Sequence, residues 1–379
     1  MIFIGFLLLG LYVISMMALV FGFLKMPIFK PNFEVPINSF TIVIPFRNEA
    51  ENLPQLLESI SLIKYPAALF EIIFVNDASE DISEEIILKY IENSTFSIRL
   101  IPNKRISKSP KKDAISEGIR HANCEWIATT DADCELPQHW LGTIDAFIQQ
   151  VNRPKREKPP LMVCGPVLYK SDNSFLQHYQ QLDGLSLQAI TIGSFGHKKP
   201  LMCNGANLAY NKQAFMEVAG FTGNNHIASG DDIFLMEKMQ IKFPGQIKYL
   251  KSKEGMVLTQ PQTSWKSIIQ QRIRWASKTS AQKNPIVSGL GILVILINLF
   301  VLLTPLNFIL FPEKWLLLLL LLFIKIMVDF IAVHQTANFF DVKISIFRFI
   351  YLPFIYAVLT TCVAFAGFRG SYSWKDRKY

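Results

Sequence analysis

The residues able to do chemistry in this 379-residue chain are mostly carboxylates, and they stand where short apolar runs stop. Thr41-Ile42-Val43-Ile44-Pro45 runs into Phe46-Arg47-Asn48-Glu49, and Ile72-Ile73-Phe74-Val75 runs into Asn76-Asp77-Ala78-Ser79. Trp126-Ile127-Ala128 runs into Thr129-Thr130-Asp131-Ala132-Asp133. Open parallel sheets bind ligands beyond the carboxyl ends of their strands. One acidic strand end is ordinarily a cap or a turn, but three in succession point to a site. Asp131 and Asp133 flank one small residue, so both can reach the same ion from a tight turn. Hard divalent cations take carboxylate oxygens, and Mg²⁺ typically uses one or two of them together with substrate phosphates. Such an ion would neutralise charge on a departing diphosphate.

Two later groups add to these. Ser229-Gly230-Asp231-Asp232 precedes a helical pattern that starts at Ile233. Adjacent carboxylates there can be simple capping. If they face a cleft, one can serve as general base toward an acceptor hydroxyl. Gln271-Arg272-Ile273-Arg274-Trp275 lies in an amphipathic stretch, with Trp265, Ile269, Ile273 and Ala276 on one face and Lys266, Gln270 and Lys278 opposite. The pattern predicts an interfacial helix, anchored by Trp and Arg at the headgroups, that carries a site edge to the membrane.

The elements that must position these residues divide the chain. Between residue 25 and about residue 284, runs rich in Ile, Val and Phe (40–45, 71–75, 126–128, 161–163) alternate with helix-like stretches at 52–63 and 82–91. That alternation predicts an α/β domain with a largely parallel, doubly covered sheet. Two basic, Pro-containing stretches, 103–113 and 152–160, read as loops. Ile2 to Leu24 carries no charge, and as a helix of about 34 Å it spans a hydrocarbon core of about 30 Å. It lacks the basic start and small-residue cleavage site of a signal peptide. Lys25 and Lys30 follow, which places the next segment in the cytosol and makes the helix a signal anchor.

After Pro285 the membrane pattern returns. Residues 286–311 and 349–368 are uncharged, and 315–333 is apolar apart from Lys325 and Asp329. The expected organisation is an anchor at 1–24, a catalytic domain at 25–285, about three spans within 286–368 and a basic tail at 369–379. Four spans would leave the tail outside, whereas Arg369, Lys375, Arg377 and Lys378 favour the inside. One re-entrant or interfacial segment would remove the conflict. Lys325 and Asp329 lie four apart on one helix face, so they are expected to pair with each other rather than mark a transport path.

Composition agrees with this division. Half the residues are hydrophobic and 18% are charged, against about 25% in soluble domains. A freely soluble enzyme, a disordered tail and a collagenous chain are excluded. The formal charge of +8 fits basic cytoplasmic flanks, and no basic stripe interleaved with aromatics suggests nucleic acid. The five cysteines are odd in number and show no C-x-x-C spacing, as expected of reduced core residues.

Together the motifs resemble family 2 glycosyltransferases of the GT-A fold, in their membrane-attached branch, over about residues 40–275. The pieces that carry the resemblance are the 41–52 strand and turn, the Asp77 cluster, Lys112-Asp113-Ala114-Ile115, Asp131-Ala132-Asp133, Asn204-Gly205-Ala206-Asn207, Gly230-Asp231-Asp232 and Gln271-x-x-Arg274-Trp275. The last is similar to the element of cellulose, hyaluronan and ceramide-glucoside synthases. The resemblance implies that Asp77, with Pro45 and Glu49, binds the base or ribose of a nucleotide-diphosphate sugar, a UDP-sugar first. Lys112 and Asp131 would belong to the same donor site. It implies that Asp133, helped by Asp131, holds Mg²⁺ or Mn²⁺. Asp232, second of the pair with Asp231, would be the catalytic base, and Asn207, Gln271, Arg274 and Trp275 would border acceptor and diphosphate. One departure stands out: the usual Asp-Asp-Gly-Ser is Asn76-Asp77-Ala78-Ser79 here, which loses a charge in the donor pocket. The implied activity is inverting transfer to a lipid or cell-envelope glycan at a bacterial inner (plasma) membrane, with the catalytic domain facing the cytoplasm and membrane lipid around the helices. A processive polysaccharide synthase and a non-catalytic sugar-nucleotide-binding scaffold are the rival expectations.

Overall fold

The computed structural model describes residues 2–152, 158–172, 174–282, 284–367, 373–375 and 377–378. The basic residues 153–157 and most of the 369–379 tail lie outside the described residues. The chain forms two compact units: Pro27–Lys170 with Met202–Pro261, and Met1–Met26 with Ser171–Leu201 and Gln262–Tyr379.

The first unit is α/β. Its strands are β1 (Phe40–Phe46), β2 (Phe70–Asn76), β3 (Ser97–Pro102), β4 (Trp126–Thr129), β5 (Cys134–Glu135), β6 (Met162–Cys164), β7 (Val167–Tyr169), β8 (Leu208–Asn211), β9 (Ile247–Tyr249) and β10 (Val257–Thr259). Seven of them make a sheet in the order β3-β2-β1-β4-β8-β6-β9. β3, β2, β1 and β4 are parallel, and β8 runs antiparallel to both its neighbours. A second sheet has the order β5-β10-β7. β1 and β2 are near-continuous apolar runs because both sheet faces are covered, and Phe40, Ile42, Ile44, Ile72 and Phe74 are fully buried. Glu71, alone among charged residues in β2, is matched by Thr41, Arg99 and Asn123.

The helix Pro110–His121 begins earlier than the sequence suggests, because Pro110 sits in its first turn, where a missing N–H costs nothing. It lies against β1 and β2, and a Cβ on Gly118 would come within 2.5 Å of Val43. This close approach brings the start of the helix to the carboxyl ends of the strands.

The second unit is helical. Among the described residues three helices, Phe3–Lys25, Pro285–Leu310 and Pro312–Phe339, are long and apolar enough to cross a membrane, and Leu352–Ala366 is apolar but shorter. Phe175–Gly196, which the sequence reading left inside the catalytic domain, belongs here. It packs along the N-terminal helix through a seam of small residues. A Cβ on Gly193 would meet the Leu19 carbonyl at 2.3 Å, and one on Gly196 would meet the Gly22 carbonyl at 1.9 Å. The helix therefore groups with the membrane segments because its glycines permit backbone contact, a reason that sequence hydropathy does not register. Lys325 and Asp329 pair at 2.6 Å, and the Tyr12 hydroxyl donates to Asp329 at 2.5 Å. Lys325 is buried within the unit, so it does not reach out to the headgroups. The predicted interfacial helix is Trp265–Ala281, and its Ile269, Ile273 and Ala276 pack on Val363 and Ala366.

The glycine seam gives a stability prediction. Gly193→Leu forces the two helices apart, and overpacking of this kind costs about 1–3 kcal/mol. Thermal unfolding in detergent should show a lower Tm for Gly193→Leu than for Gly289→Leu, where nothing lies within 4 Å of the added carbon. Equal midpoints would count against the seam.

Candidate active site

Three strand ends and one helix start converge in the α/β unit. β4 ends at Thr129, and the chain then turns through Asp131 and Asp133. The Asp133 carbonyl accepts from the Gln260 amide and the Asp131 carbonyl from the Cys134 amide, which fixes the turn. Asp231 and Asp232 open the helix Asp231–Lys242, entered through Gly230 at φ +85°, a left-handed value that glycine adopts without strain. The Asp232 carboxylate is buried and accepts from the Ile233 amide at 2.8 Å.

The carboxylates are joined by a lysine. Lys111 Nζ stands 2.6 Å from Asp131 Oδ1 and 3.3 Å from Asp231 Oδ2. Burial acts to lower its pKa, but the charges of Asp131, Asp231 and Asp232 outweigh burial and raise it, so the ammonium stays charged. Gly205, of the Asn204-Gly205-Ala206-Asn207 segment, lies beside this cluster. A Cβ there would sit 2.9 Å from Asp231 Oδ2 and 3.6 Å from Lys111 Nζ.

A second cluster surrounds Asp77 at the end of β2. Its Oδ1 accepts from Asn103 Nδ2 at 2.7 Å and from Arg105 Nε at 2.6 Å. Its carbonyl accepts from Arg105 Nη2 and Arg47 Nη1. The loop that carries Asn103 and Arg105 is pinned by Asp113, which accepts from the Ile106 and Ser107 amides. Pro45 lies in β1, and Glu49 receives Asn52 Nδ2 while its own amide donates to Ser83.

Two expected site residues are turned inward. Lys112 donates to the carbonyls of Asn224 and Ile227 and lies over the Phe234 ring, and it is only 1% exposed. Its neighbour Lys111 is the lysine at the aspartates. Asn207 is also buried, accepting from Trp140 Nε1 and donating to the Pro166 and Gly255 carbonyls. Its side-chain bonds join a helix and two loops of the α/β unit, which corrects the expectation that it faces acceptor or diphosphate. Arg105, Asn103 and Lys111 stand outside the motifs that mark the site in the sequence. A one-residue phase shift along the Pro110–His121 helix would have found Lys111. The basic run 103–113 was the only hint of Arg105.

Gln271, Arg274 and Trp275 belong to the helical unit. There Arg272 stacks on Trp275, with its Cζ 4.1 Å from the ring centroid, and forms an ion pair with buried Asp183.

Among the described residues no three His, Cys, Asp or Glu side chains converge on one point as a metal cage. Asp131 and Asp133 would supply at most two carboxylates to an ion, which is the donor set expected where phosphates and water complete the shell. The residues present fit such a divalent cation.

Carboxylates at the strand ends of a mostly parallel sheet, a helix-start Asp pair and a charged lysine between them make up the candidate site. The Glycosyl transferase family 2 profile matches residues 41–219 of the chain. Over 256 residues the chain is 27% identical to the poly-β-1,6-N-acetyl-D-glucosamine synthase of Staphylococcus aureus (strain COL), covering 65% of this chain and 56% of that one. Over 248 residues it is 26% identical to the synthase of the same name from Staphylococcus epidermidis, covering 63% and 54%. The chain thus spans about half the length of the curated relatives it matches. Among solved structures, the mannosyltransferase PcManGT of Pyrobaculum calidifontis, in complex with GDP-Man and Mn²⁺, aligns with TM-score 0.57 at 15% identity, over 96% of this chain and 95% of that one. That likeness shows the GT-A fold.

Gly205→Ala should crowd the Asp231 carboxylate and the lysine beside it. Turnover is expected to fall at least about tenfold, about 1.4 kcal/mol in the barrier, with a change in Tm of no more than a few degrees. Full activity in Gly205→Ala would show that Asp231 tolerates displacement.

Proposed function

We propose that the chain is an inverting membrane glycosyltransferase that moves a sugar from a nucleotide-diphosphate donor, a UDP-sugar first, to an acceptor hydroxyl or phosphate presented by a lipid or cell-envelope glycan. The observation that carries this reading is the convergence of Lys111, Asp131 and Asp231 within 3.3 Å, with Asp232 next in sequence at the same helix start. Carboxylates and a fixed ammonium in one cleft suit a reaction in which a diphosphate leaves and a hydroxyl loses its proton.

On this reading Asp77, with Pro45 and Glu49 beside it, takes the nucleoside, and the Arg105 and Asn103 donors already on its carboxylate orient it. Asp131 and Asp133 would hold Mg²⁺ or Mn²⁺, which when bound supplies charge neutralisation to the diphosphate. Lys111 adds a second positive charge from the protein. Asp232 accepts the proton of the acceptor hydroxyl as its oxygen bonds the anomeric carbon and the bond from that carbon to the diphosphate oxygen breaks. Gln271, Arg274 and Trp275 contribute on the acceptor side.

The helices support a membrane location. If the N-terminal helix starts outside and the 285–310 and 312–339 helices both cross, the C-terminus returns to the cytoplasmic side. The Leu352–Gly367 helix has 16 residues. At about 24 Å it is short of a hydrocarbon core of about 30 Å. Left uncrossed, it would place the basic tail where the positive-inside rule wants it, at an inner membrane with the catalytic unit in the cytoplasm. The similarity to poly-β-1,6-N-acetyl-D-glucosamine synthases favours a second reading, processive addition, which the length of the product on a gel separates from single transfer.

Asp232→Asn should abolish sugar transfer, a drop of at least about 10²-fold, while isothermal titration still finds donor binding near the wild-type value. Near-normal turnover would sink the base assignment. Chelation with EDTA should stop transfer, and added Mg²⁺ or Mn²⁺ should restore it. Unchanged activity in EDTA would remove the metal from the scheme.

A further inference from the structure

The helical unit contains a cleft of about 90 Å³ that the reading above leaves unused. One water needs about 10–15 Å³ of that measure, so the cleft has room for several methylene-sized groups in a row. Most of its wall is hydrocarbon: Leu19 and Val20 from the N-terminal helix, Ala189 from Phe175–Gly196, Ala332 and Val333 from Trp315–Phe339, and Leu352. Its charged members are matched inside the protein. Asp329 accepts from Tyr12 and pairs with Lys325. Asp183 pairs with Arg272, and the Asp183 carbonyl accepts from Ser186. A glycan in such a space would leave most of its hydroxyls buried without partners, which is unfavourable. A hydrocarbon chain would leave none.

The cleft has a direction. Asp183 lines it and is held by Arg272, which stacks on Trp275 in the Gln271–Trp275 segment. Tyr179, also on the wall, meets the Trp265 ring at 5.3 Å at the start of the same helix. The Asp183 part of the wall therefore adjoins the segment assigned to the acceptor.

We propose that this cleft holds the aliphatic tail of the acceptor, which makes the acceptor a long-chain lipid whose hydroxyl or phosphate end lies at the Asp183–Arg272 pair. The proposal rests on the glycosyltransferase reading and selects between its two acceptor classes.

The full chain in nanodiscs is irradiated with a diazirine-tailed long-chain alcohol or with the monophosphate of that alcohol, and labelled peptides are mapped. Both probes also serve as acceptors with radiolabelled UDP-sugars. Labelling is expected within residues 12–20, 182–190 and 329–333, and an excess of the unlabelled lipid should reduce it about tenfold. The alcohol and the phosphate arms report which polar end is glycosylated. Ala189→Trp fills the cleft and should lower both labelling and lipid-linked product at least tenfold, with donor binding unchanged. Ala332→Leu is a milder filling variant that should act in the same direction if Ala189→Trp fails to fold. Ile292→Trp, on an exposed face, should change neither readout. Labels spread equally over exposed positions such as Ile292 and Phe323 would overturn the proposal. So would full lipid glycosylation in both filling variants, or labelling of the cleft by a lipid that is never glycosylated while a soluble glycan is. Absence of donor binding in the wild type would instead sink the glycosyltransferase reading, whatever the labelling pattern.

Discussion

The site depends on one interaction, the ammonium of Lys111 held between Asp131 and Asp231. β1, β2 and β4 run parallel and end together, so their polar ends collect on one edge of the sheet. The helix start at Asp231 adds two more carboxylates. Like charges at about 4 Å repel by about 4 kcal/mol each at an effective dielectric of 20, and a site of this kind needs a cation to be stable. Lys111 provides it from the first turn of a helix that Gly118 lets settle closely on β1. The packing of one glycine thus determines whether a lysine arrives where the carboxylates meet. Gly205 has the complementary role, leaving room on the far side for Asp231.

The helical unit solves a different problem. Where its long apolar helices lie in a membrane as proposed, their outer surfaces face lipid, and burial of hydrocarbon gives little drive to bring them together. Close backbone contact takes that role at Leu19, Gly22, Gly193 and Gly196. Polar donors inside bond locally: Asn298, Thr304 and Asn307 each donate to a carbonyl four residues back, and Lys325 meets Asp329 one helical turn away, while the Oδ1 atoms of Asn298 and Asn307 are buried without a hydrogen bond. Matching of this kind leaves the charges of the bundle balanced at short range, which suits a static pair better than an ion path.

Much of this was legible in the sequence wherever a feature has a period or a position relative to a strand end. The strands at 40–45, 71–75 and 126–128, the 52–63 and 82–91 helices, the N-terminal apolar helix and the amphipathic face of 265–276 all follow from patterns of burial, and each recurs within a few residues of its expected bounds. The Lys325–Asp329 pair follows from helical spacing. What sequence could not supply was phase and depth. Lys111 and Lys112 are identical in type, and only the angle at which their helix meets β1 sends one to the aspartates and the other to the Asn224 and Ile227 carbonyls. Asn207 reads as a polar residue in a motif, yet it lies where Trp140 and two loops need a shared hydrogen-bonding partner. The 175–196 helix has a polar enough composition to pass for part of a soluble domain, because glycine contacts do not register as hydropathy.

The departure at Asn76-Asp77-Ala78-Ser79 changes meaning in the same light. Asn76 Nδ2 donates to Glu84 at 2.6 Å while its Oδ1 accepts from the Ser79 amide at 2.8 Å. An aspartate could keep the second bond but would set a carboxylate oxygen against Glu84. The amide is therefore the side chain that this turn requires, and the missing charge answers to Glu84 rather than to a ligand. Ala78 stands where glycine is usual and has φ +55°, a conformation that costs an L-residue roughly 1–2 kcal/mol. The strain is held by Arg47, which donates to the Ala78 carbonyl and pairs with Glu80. Arg47 also donates to the Asp77 carbonyl, so the same guanidinium that fixes the strained turn fixes the backbone of the residue proposed to meet the nucleoside. With the turn preserved by different bonds, the departure leaves the Asp77 carboxylate in place, shared by the two donors Arg105 and Asn103.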